Sequence, residues 1–387
     1  MSDLKTKSPK KKKSAEASGL SRRDFVAKAG LVVAAGLPLR AFASDKPAPK
    51  ATSTSEVEWN LVSAFPRDLP GYHSSMVRMI DAVKEMSGGK FKISLFPAGE
   101  KCKAFDSFDF VSKGSAHVGF GVPYYWRAKN EAFQFFGAVP FGLTAREMYA
   151  WVNYGGAKSL ADELYGAHNL LYFAASNSGV QMGGWFNKEI KSVADFKGMR
   201  IRYPAWSGDC LKHFGADVVT IPAGEIYAAI KAGKLDAVEW VGPWNDYSLK
   251  LHEVAKFYYW PGWHEPGTLN DIFVHKPAFE ALSAENKAIF KYAVKTTQID
   301  MMSELDAKNN EYLSLLQGRH KIQLRRFDDA TLKELSKVSE RLFEEAAAKD
   351  GLTKRILESF KKFREEAMAW SEISEEGYLA ARATALR

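Results

Sequence analysis

Two periods of apolar residues organise the chain. Val57–Phe65 alternates every second residue and stops at Pro66, as a strand does. Gly71–Ser87 instead sets Met76, Met79, Ile80, Val83 and Met86 at helical spacing and ends at Gly88-Gly89. Phe91–Phe96 reads as a second strand closed by Pro97, Phe105–Ser112 as a short helix and His117–Val122 as a third strand. A helical stretch over Thr144–Leu164 precedes the apolar strand Leu170–Ala175. Strands that alternate with helices specify βαβ units and a mostly parallel sheet, where ligands meet the carboxyl ends of strands. Pro66, Pro97 and Tyr124-Tyr125-Trp126 fall at such ends.

The pattern restarts at Gln181. Gln181–Phe186, Met199–Tyr203, Val218–Ile221 and Ala237–Trp240 read as strands, with helices over Gly208–Phe214 and Gly224–Ala232. Phe257–Trp260 and Ile272–His275 are expected as strands that run back to the first set. Ser283 is a fitting N-cap, and nothing breaks a helix from Ala284 to Gln317. At 1.5 Å per residue that helix reaches about 51 Å, long enough to brace two domains. Thr331–Ala348 and Lys354–Ala369 are amphipathic and rich in Lys and Glu; they cover the body or mediate dimerisation. The expected fold class is α/β.

With 387 residues the chain can bury two separate cores. Its 46% apolar and 26% charged residues are those of a soluble globular protein. The net charge of +8 would suggest a nucleic-acid or membrane partner, but residues 1–43 carry +7 of it. The remainder is close to neutral, so nucleic acid is set aside. Residues 1–43 read as a targeting segment. A basic stretch holding Lys10–Lys13 leads to Ser21-Arg22-Arg23-Asp24-Phe25-Val26, then to an apolar run up to Leu39 and to Ala41-Phe42-Ala43. This is the layout of a twin-arginine signal peptide, with the periplasm as expected location; the apolar run is too short to span a membrane. Residues 44–56 form a linker rich in Ser, Thr, Pro and Ala. Cys102 and Cys210 lie in no metal-binding spacing, and the sequence does not decide whether they pair.

The candidate chemistry clusters between Gln181 and Glu265. Arg202 ends a strand before Tyr203-Pro204, a position from which a guanidinium can grip a carboxylate through two parallel hydrogen bonds. Its competitor is Arg200, on the same strand face, and the plain alternative is a surface or ion-paired Arg. Glu239 sits between Val238 and Trp240 and is expected to be half buried, which requires a partner. Asp236, Asp246 and Glu265 lie nearby in sequence. A hard cation such as Na⁺ or Ca²⁺ would be served by Gln181, Glu239, Glu265 and the Trp240 carbonyl; the alternative is a Glu paired with Lys or Arg. Gly-x-Ser-x-Gly, Gly-x-Gly-x-x-Gly, P-loop and His-Glu-x-x-His motifs are absent, and His264 and His275 read as isolated structural residues. The inventory suits holding a small anion better than breaking a bond.

Four stretches carry a resemblance to a known family: Gly179-Val-Gln181-Met-Gly-Gly-Trp-Phe, Lys197-Gly198-Met-Arg-Ile-Arg202, Ile226 to Pro243 with its Glu239-Trp240-Val-Gly-Pro, and Tyr259-Trp-Pro-Gly262-Trp263. The chain resembles the solute-binding proteins of tripartite ATP-independent periplasmic (TRAP) transporters, the DctP-like group, in the branch for 2-oxo and small hydroxy acids. The resemblance implies two α/β lobes joined by crossing strands, with a long helix across both. Residues 57–178 plus 266–305 would form lobe I; residues 179–265 plus 306–387 would form lobe II and the C-terminal helices. It implies that Arg202 takes the ligand carboxylate and that Gln181, Glu239 and Trp240 hold a metal ion, Na⁺ or Ca²⁺, bridging to the ligand. Glu265 is a further metal candidate. Gln181, Trp240, Tyr124 and Trp263 would also line the ligand. A 2-oxo or 2-hydroxy monocarboxylate such as pyruvate or lactate would pass to the TRAP membrane subunits, with no organic cofactor and with a homodimer through the C-terminal helices allowed. Other readings are a sugar acid or dicarboxylate, or an exported metal-dependent enzyme acting on 2-oxo acids. The sequence departs from the branch at Gly262-Trp263-His264-Glu265, where Gly-Trp-Trp-Glu is expected, and at the bulky Tyr203-Pro204-Ala205-Trp206. Both would alter pocket size.

Overall fold

A computed structural model describes residues 56–386; the expected twin-arginine signal segment and nearly all of the expected linker lie outside the described residues. The first set of elements is β1 (Val57–Ser63), α1 (Tyr72–Met86), β2 (Phe91–Phe96), α2 (Ser107–Ser112), β3 (Val118–Gly121), α3 (Ala145–Tyr154), α4 (Ala157–Gly166) and β4 (Leu170–Asn177). The second is β5 (Gly184–Phe186), β6 (Arg200–Arg202), α5 (Ala205–His213), β7 (Asp217–Val219), α6 (Ala223–Lys231), β8 (Ala237–Val238), α7 (Pro243–Ser248) and β9 (Phe257–Trp260). The chain then runs through β10 (Leu269–His275), α8 (Lys276–Glu280), α9 (Ala284–Gly318), β11 (Gln323–Arg326), α10 (Asp329–Ala347), α11 (Gly351–Ile373) and α12 (Glu375–Leu386).

Two mixed sheets result, ordered β2-β1-β3-β10-β4 and β11-β9-β5-β8-β6-β7. In each, one strand opposes the others: β10 runs antiparallel to β3 and β4, and β5 antiparallel to β8 and β9. Those two strands are the ones that follow a crossing between the sheets. The expectation that Phe257–Trp260 returns to the first sheet is corrected: β9 belongs to the second, and the return is made by residues 261–268 and β10. The single helical stretch expected over Thr144–Leu164 is two helices. Thr144 and Glu147 cap α3 reciprocally, and Gly156 at φ 88° turns the chain between them.

Helix α1 lays Met76, Met79 and Val83 on the first sheet, each worth about 1.5–3 kcal/mol when fully buried. Helix α9 is N-capped by Ser283, whose hydroxyl accepts from the Asn286 N–H at 3.1 Å. It packs on α1 and β4 of the first lobe and on α7 of the second, burying Phe290, Val294, Met301, Leu305 and Leu316, so it bridges both as expected. Helix α10 lies on α5 of the second lobe. Helix α11, expected with lobe II, packs instead on α3 and α4 of the first.

The two crossings, residues 178–183 and 261–268, run side by side. The Ser178 N–H donates to the Thr268 carbonyl at 3.1 Å, and the Gln181 N–H to the Glu265 carbonyl at 3.2 Å. They approach so closely at Gly262 that a Cβ there would fall 2.2 Å from the Gln181 carbonyl oxygen; only glycine fits. Among the described residues no helix is long and apolar enough to cross a membrane.

Candidate functional site

Strand β6 is three residues long and carries its basic side chains to different fates. Arg200 stays exposed, and its guanidinium binds Asp236 at 2.6 and 3.0 Å and the Gly233 carbonyl at 2.7 Å. Arg202, one pleat further in, is 1% exposed. Its Nη1 donates to a Glu239 carboxylate oxygen at 2.5 Å and to the Glu239 carbonyl at 2.6 Å, while its Nε has no partner. The guanidinium carbon lies 5.1 Å from the Trp240 ring centroid. Among the described residues Arg202 is the only buried Arg or Lys side chain. Of the two candidates, then, Arg202 is the one held inside with donor capacity to spare.

Glu239 follows β8, whose pairing with β6 brings Val238 opposite Arg202 and so sets the pair. The plain alternative for Glu239, an Arg partner, is met, but only one oxygen is used: Oε1 has no hydrogen bond. The crossing 261–268 supplies His264 and Glu265. His264 Nε2 lies 3.1 Å from Glu239 Oε1, and one donor atom from each of Glu239, His264 and Glu265 lies within 4.8 Å of the others. Glu265 accepts from the Thr268 hydroxyl. Thr268 in turn accepts from the Gln181 amide nitrogen at 2.8 Å, and Ser178 accepts from that same nitrogen at 3.1 Å. With its NH₂ spent on two hydroxyls, Gln181 leaves its side-chain carbonyl without a partner.

Burial dominates the electrostatics. It pushes the Glu239 carboxyl up to about 8, against the pull of Arg202, and Glu265 up to about 7, helped by the charge of Glu239. It pushes His264 down to about 4, so the imidazole is neutral near pH 7. Two carboxyls that resist ionisation in a dry site are ones a cation would ionise.

Tyr124 faces this group from the first lobe, with Tyr72 and Tyr125. All three phenols are pushed up by burial, and each feels Glu265, Glu239 and Arg202. Trp263 is 4% exposed and held between Tyr203 and Phe141, ring centroids 6.0 and 5.6 Å apart. Trp240 carries an indole N–H with no partner. Gln181, Arg202, Glu239, Trp240, Glu265 and Tyr124 thus converge at the crossings, with Trp263 one residue from His264.

Two sequence expectations change, and Asp246, a sequence neighbour of Glu239, has a role of its own. His264 is not an isolated structural histidine but part of the cluster, signalled only by its place between Trp263 and Glu265. Trp206, expected to alter pocket size, packs between Phe135 and Phe343 at 4.6 and 4.8 Å and is core. Asp246 is structural, accepting from Trp185 Nε1, the Tyr258 hydroxyl and the Val241 N–H. Tyr72, Ser178 and Thr268 carried no motif that would have marked them, whereas Tyr125 stood beside Tyr124 at a strand end. Cys102 and Cys210 are both free.

The unmatched atoms sort by chemistry. Arg202 Nε and Trp240 Nε1 are donors, suited to an anion; Gln181 Oε1 and Glu239 Oε1 are acceptors, suited to a cation. Buried polar atoms without partners cost about 1–3 kcal/mol each, and native proteins rarely leave them in groups. A guest with both signs completes the site.

Residues 65–350 match the bacterial extracellular solute-binding proteins, family 7 (DctP). A monocarboxylate 2-oxoacid-binding periplasmic protein of Nostoc sp. strain PCC 7120 is 38% identical over 323 residues, covering 83% of this chain and 88% of its own. A TRAP periplasmic solute-binding protein from Pseudoalteromonas atlantica T6c, crystallised with sodium and pyruvate, superposes with a TM-score of 0.82 at 36% identity, over 84% of this chain and 99% of that one. Another TRAP solute-binding protein, from Bordetella bronchiseptica RB50, is a mixed-occupancy dimer with copurified calcium and picolinate. It gives a TM-score of 0.83 at 32% identity, over 86% of this chain and 100% of that one.

Proposed function

The chain belongs to family 7 of the bacterial extracellular solute-binding proteins, the ligand-capturing subunits of TRAP transporters rather than enzymes, and on that footing we propose that it binds a small 2-oxo monocarboxylate together with a metal ion and hands it to the membrane subunits. The observation that carries this reading is the pairing of unmatched buried donors with unmatched buried acceptors at the crossings. The Nε edge of Arg202 takes the carboxylate. Gln181, Glu239 and Glu265, with the Trp240 carbonyl, hold a cation of the kind found in the relatives, Na⁺ or Ca²⁺. When bound, that cation supplies charge compensation for the carboxylates and a second contact to a ligand that has an oxygen beside its carboxylate.

A plain carboxylate lacks that second oxygen. A dicarboxylate would require a second buried cation, and Arg202 is the only buried Arg or Lys among the described residues. These points favour monocarboxylates with an oxygen beside the carboxylate, such as pyruvate, over plain carboxylates and dicarboxylates. Tyr124 and Trp263 act as walls. Residues 57–178 and 266–305 form one lobe with α11 docked on it, residues 179–265 the other, and closure excludes water and strengthens both contacts. Residues 1–43 direct export by the twin-arginine route to the periplasm. The chain pairs with a second copy through its C-terminal helices, where Met368, Trp370 and Ile373 are 63–76% exposed. Light scattering of the unaltered chain and of one shortened by residues 367–387 tests the pairing: a monomer mass for the unaltered chain, or a dimer mass kept after the truncation, refutes it.

The test of the main reading is calorimetric titration of metal-stripped and metal-reloaded protein with pyruvate, a longer 2-oxo acid, lactate and a plain carboxylate. Metal-dependent binding of the 2-oxygenated acids is expected. Equal binding of the plain carboxylate, or indifference to metal, overturns it.

A further inference from the structure

Helix α9 carries a stripe that the capture site does not use. Lys287, Lys291 and Lys295 stand four residues apart and so share one face of the helix. Among the described residues none of the three forms an ion pair. Lys287 donates to the Glu280 backbone carbonyl at 2.8 Å, and Lys291 stands 5.8 Å over the Phe279 ring. Like charges at this spacing repel and weaken a helix. Further along, α9 matches charges instead: Asp300 and Glu304 each meet Arg78 at 2.7 Å, and Lys308 meets Glu311 at 2.9 Å. The lysine row costs the helix stability and leaves its ammonium groups free for an outside partner.

The row is one wall of an open groove. Two cavities of about 650 and 420 Å³ share Lys158, Phe173 and Lys291, and so run together beside α9, α4 and β4, the outer strand of the first sheet. Lys158 of α4 and Lys276 of α8 also line it. Asp162 is the only acid in the lining, and Lys158 holds it at 2.5 Å; Glu280, outside the lining, lies 3.9 Å from Lys276. The body of the chain is close to neutral, so the groove is a local concentration of positive charge. Tyr292 lines it and is 65% exposed; Tyr154, next to the lining Asn153, is 90% exposed. Aromatic rings with a polar end settle where lipid meets water. The basic residues are all lysine. Protein interfaces favour Arg and are poor in Lys, and a site built for one small phosphate or carboxylate gains from the Arg fork. A row of flexible point charges instead suits a surface whose anions move.

We propose that this lysine groove docks the exported protein on anionic phospholipid at the membrane surface. The ammonium groups meet lipid phosphates, the groove admits a head group, and Tyr154 and Tyr292 rest at the boundary of the lipid. Each lysine near an anionic surface strengthens attachment about fivefold, so the three on α9 supply about a hundredfold. Attached in this way, the protein searches for its membrane subunits along a surface. The inference goes beyond the proposed function and does not depend on which acid or ion is captured.

The test is flotation of the exported chain (residues 44–387, so that the basic first 43 do not contribute) with vesicles of phosphatidylcholine alone or with about 30% phosphatidylglycerol. Attachment to the anionic vesicles only is expected, weakening as salt is raised. Changing Lys287, Lys291 and Lys295 together to Gln should lower it about 100-fold. Changing the exposed Lys188, Lys231 and Lys333 to Gln removes the same charge elsewhere and should lower it by no more than about threefold. Tyr154→Ser with Tyr292→Ser should weaken it as well. Pyruvate titration checks that the variants fold; if the triple variant does not, Lys291→Gln and Lys295→Gln singly carry the comparison, at about fivefold each. No attachment to anionic vesicles, equal attachment to phosphatidylcholine, or equal losses in the two triple variants overturns the proposal. Inorganic phosphate bound through these lysines without vesicle attachment would assign the groove to a free anion. Lysine-dependent association with transporter-bearing membranes but not with lipid vesicles would assign it to an acidic segment of the membrane subunits. Either result overturns the lipid reading. Failure of the unaltered protein to bind any 2-oxo acid, with vesicle attachment kept, would count against the proposed function alone.

Discussion

Arg202→Lys separates a fork-shaped grip from a mere positive charge. In the unaltered site one arm of the guanidinium is committed: Nη1 holds the Glu239 carboxylate at 2.5 Å and its carbonyl at 2.6 Å. The Nε edge is left for the guest. A lysine ammonium is a single compact donor on a flexible stem and cannot serve both places. If it stays with Glu239, the ligand loses its charge-assisted hydrogen bonds; if it turns to the ligand, Glu239 loses the charged hydrogen bonds that Arg202 gives it. Either way about one to two charged hydrogen bonds are lost, each worth about 1.5–3 kcal/mol. The expected loss of pyruvate affinity is therefore about tenfold to 150-fold for one bond, and larger for two. Arg202→Ala should cost more, about 2–5 kcal/mol, because a buried charge then goes unpaired. Calorimetric titration at saturating metal measures both, with melting of the unliganded variants to check folding. Pyruvate affinity within threefold of the original in a folded Arg202→Lys protein would show that the fork is not used, and would return Arg202 to the role of a structural partner for Glu239.

Three further outcomes are expected. Folding raises Glu239 to about 8 and Glu265 to about 7 from 4.5, so the metal-free protein binds protons that the unfolded chain has released and loses stability as pH rises. Lowering His264 from 6.5 to about 4 acts oppositely below 6.5, so the clear window is about pH 6.5 to 8. Melting temperatures of stripped protein should fall across it while the stabilisation by added divalent cation grows; a flat pair of curves would contradict the burial argument. Arg127, after β3, pairs with Asp209 on α5 at 2.5 Å across the lobes, and because both are partly exposed Arg127→Ala should weaken ligand binding only about 1.5- to 5-fold; a hundredfold loss would mean the pair does far more than favour closure. Burial pushes the Cys210 thiol up to about 12, so a thiol reagent should modify Cys102 in the native protein and reach Cys210 only on unfolding, which mass spectrometry reads directly.

The periodicity of β1, α1 and α9 was enough to place them, because each buries one face and alternates or repeats accordingly. The second sheet was harder: β5, β6 and β8 are two or three residues long, and their pairing is set by the partners rather than by any pattern of their own. Strand β9 gave the clearest misreading. Its aromatic run suits any buried strand, and nothing local says which sheet it joins. Strand β11 and helix α7 escaped notice for a related reason, since one is a polar edge strand and the other a helix of only six residues started by Pro243.

The site shows the same division. Arg202, Gln181 and Glu239 stand at the ends of short apolar runs and were visible as candidates. The family resemblance gave each its expected role. His264 was not visible, because an isolated histidine in sequence has no partner to point at. Its neighbours come from β8 and from the crossing beside Gln181, which meet only in the folded chain. The same crossings are where the lobes are joined and where Gly262 holds the two strands of chain in contact. A residue change there alters ligand chemistry and hinge geometry together. The departure at His264 therefore bears first on which acid the protein takes, whereas the departure at Trp206, which packs into the core between Phe135 and Phe343, bears on stability instead.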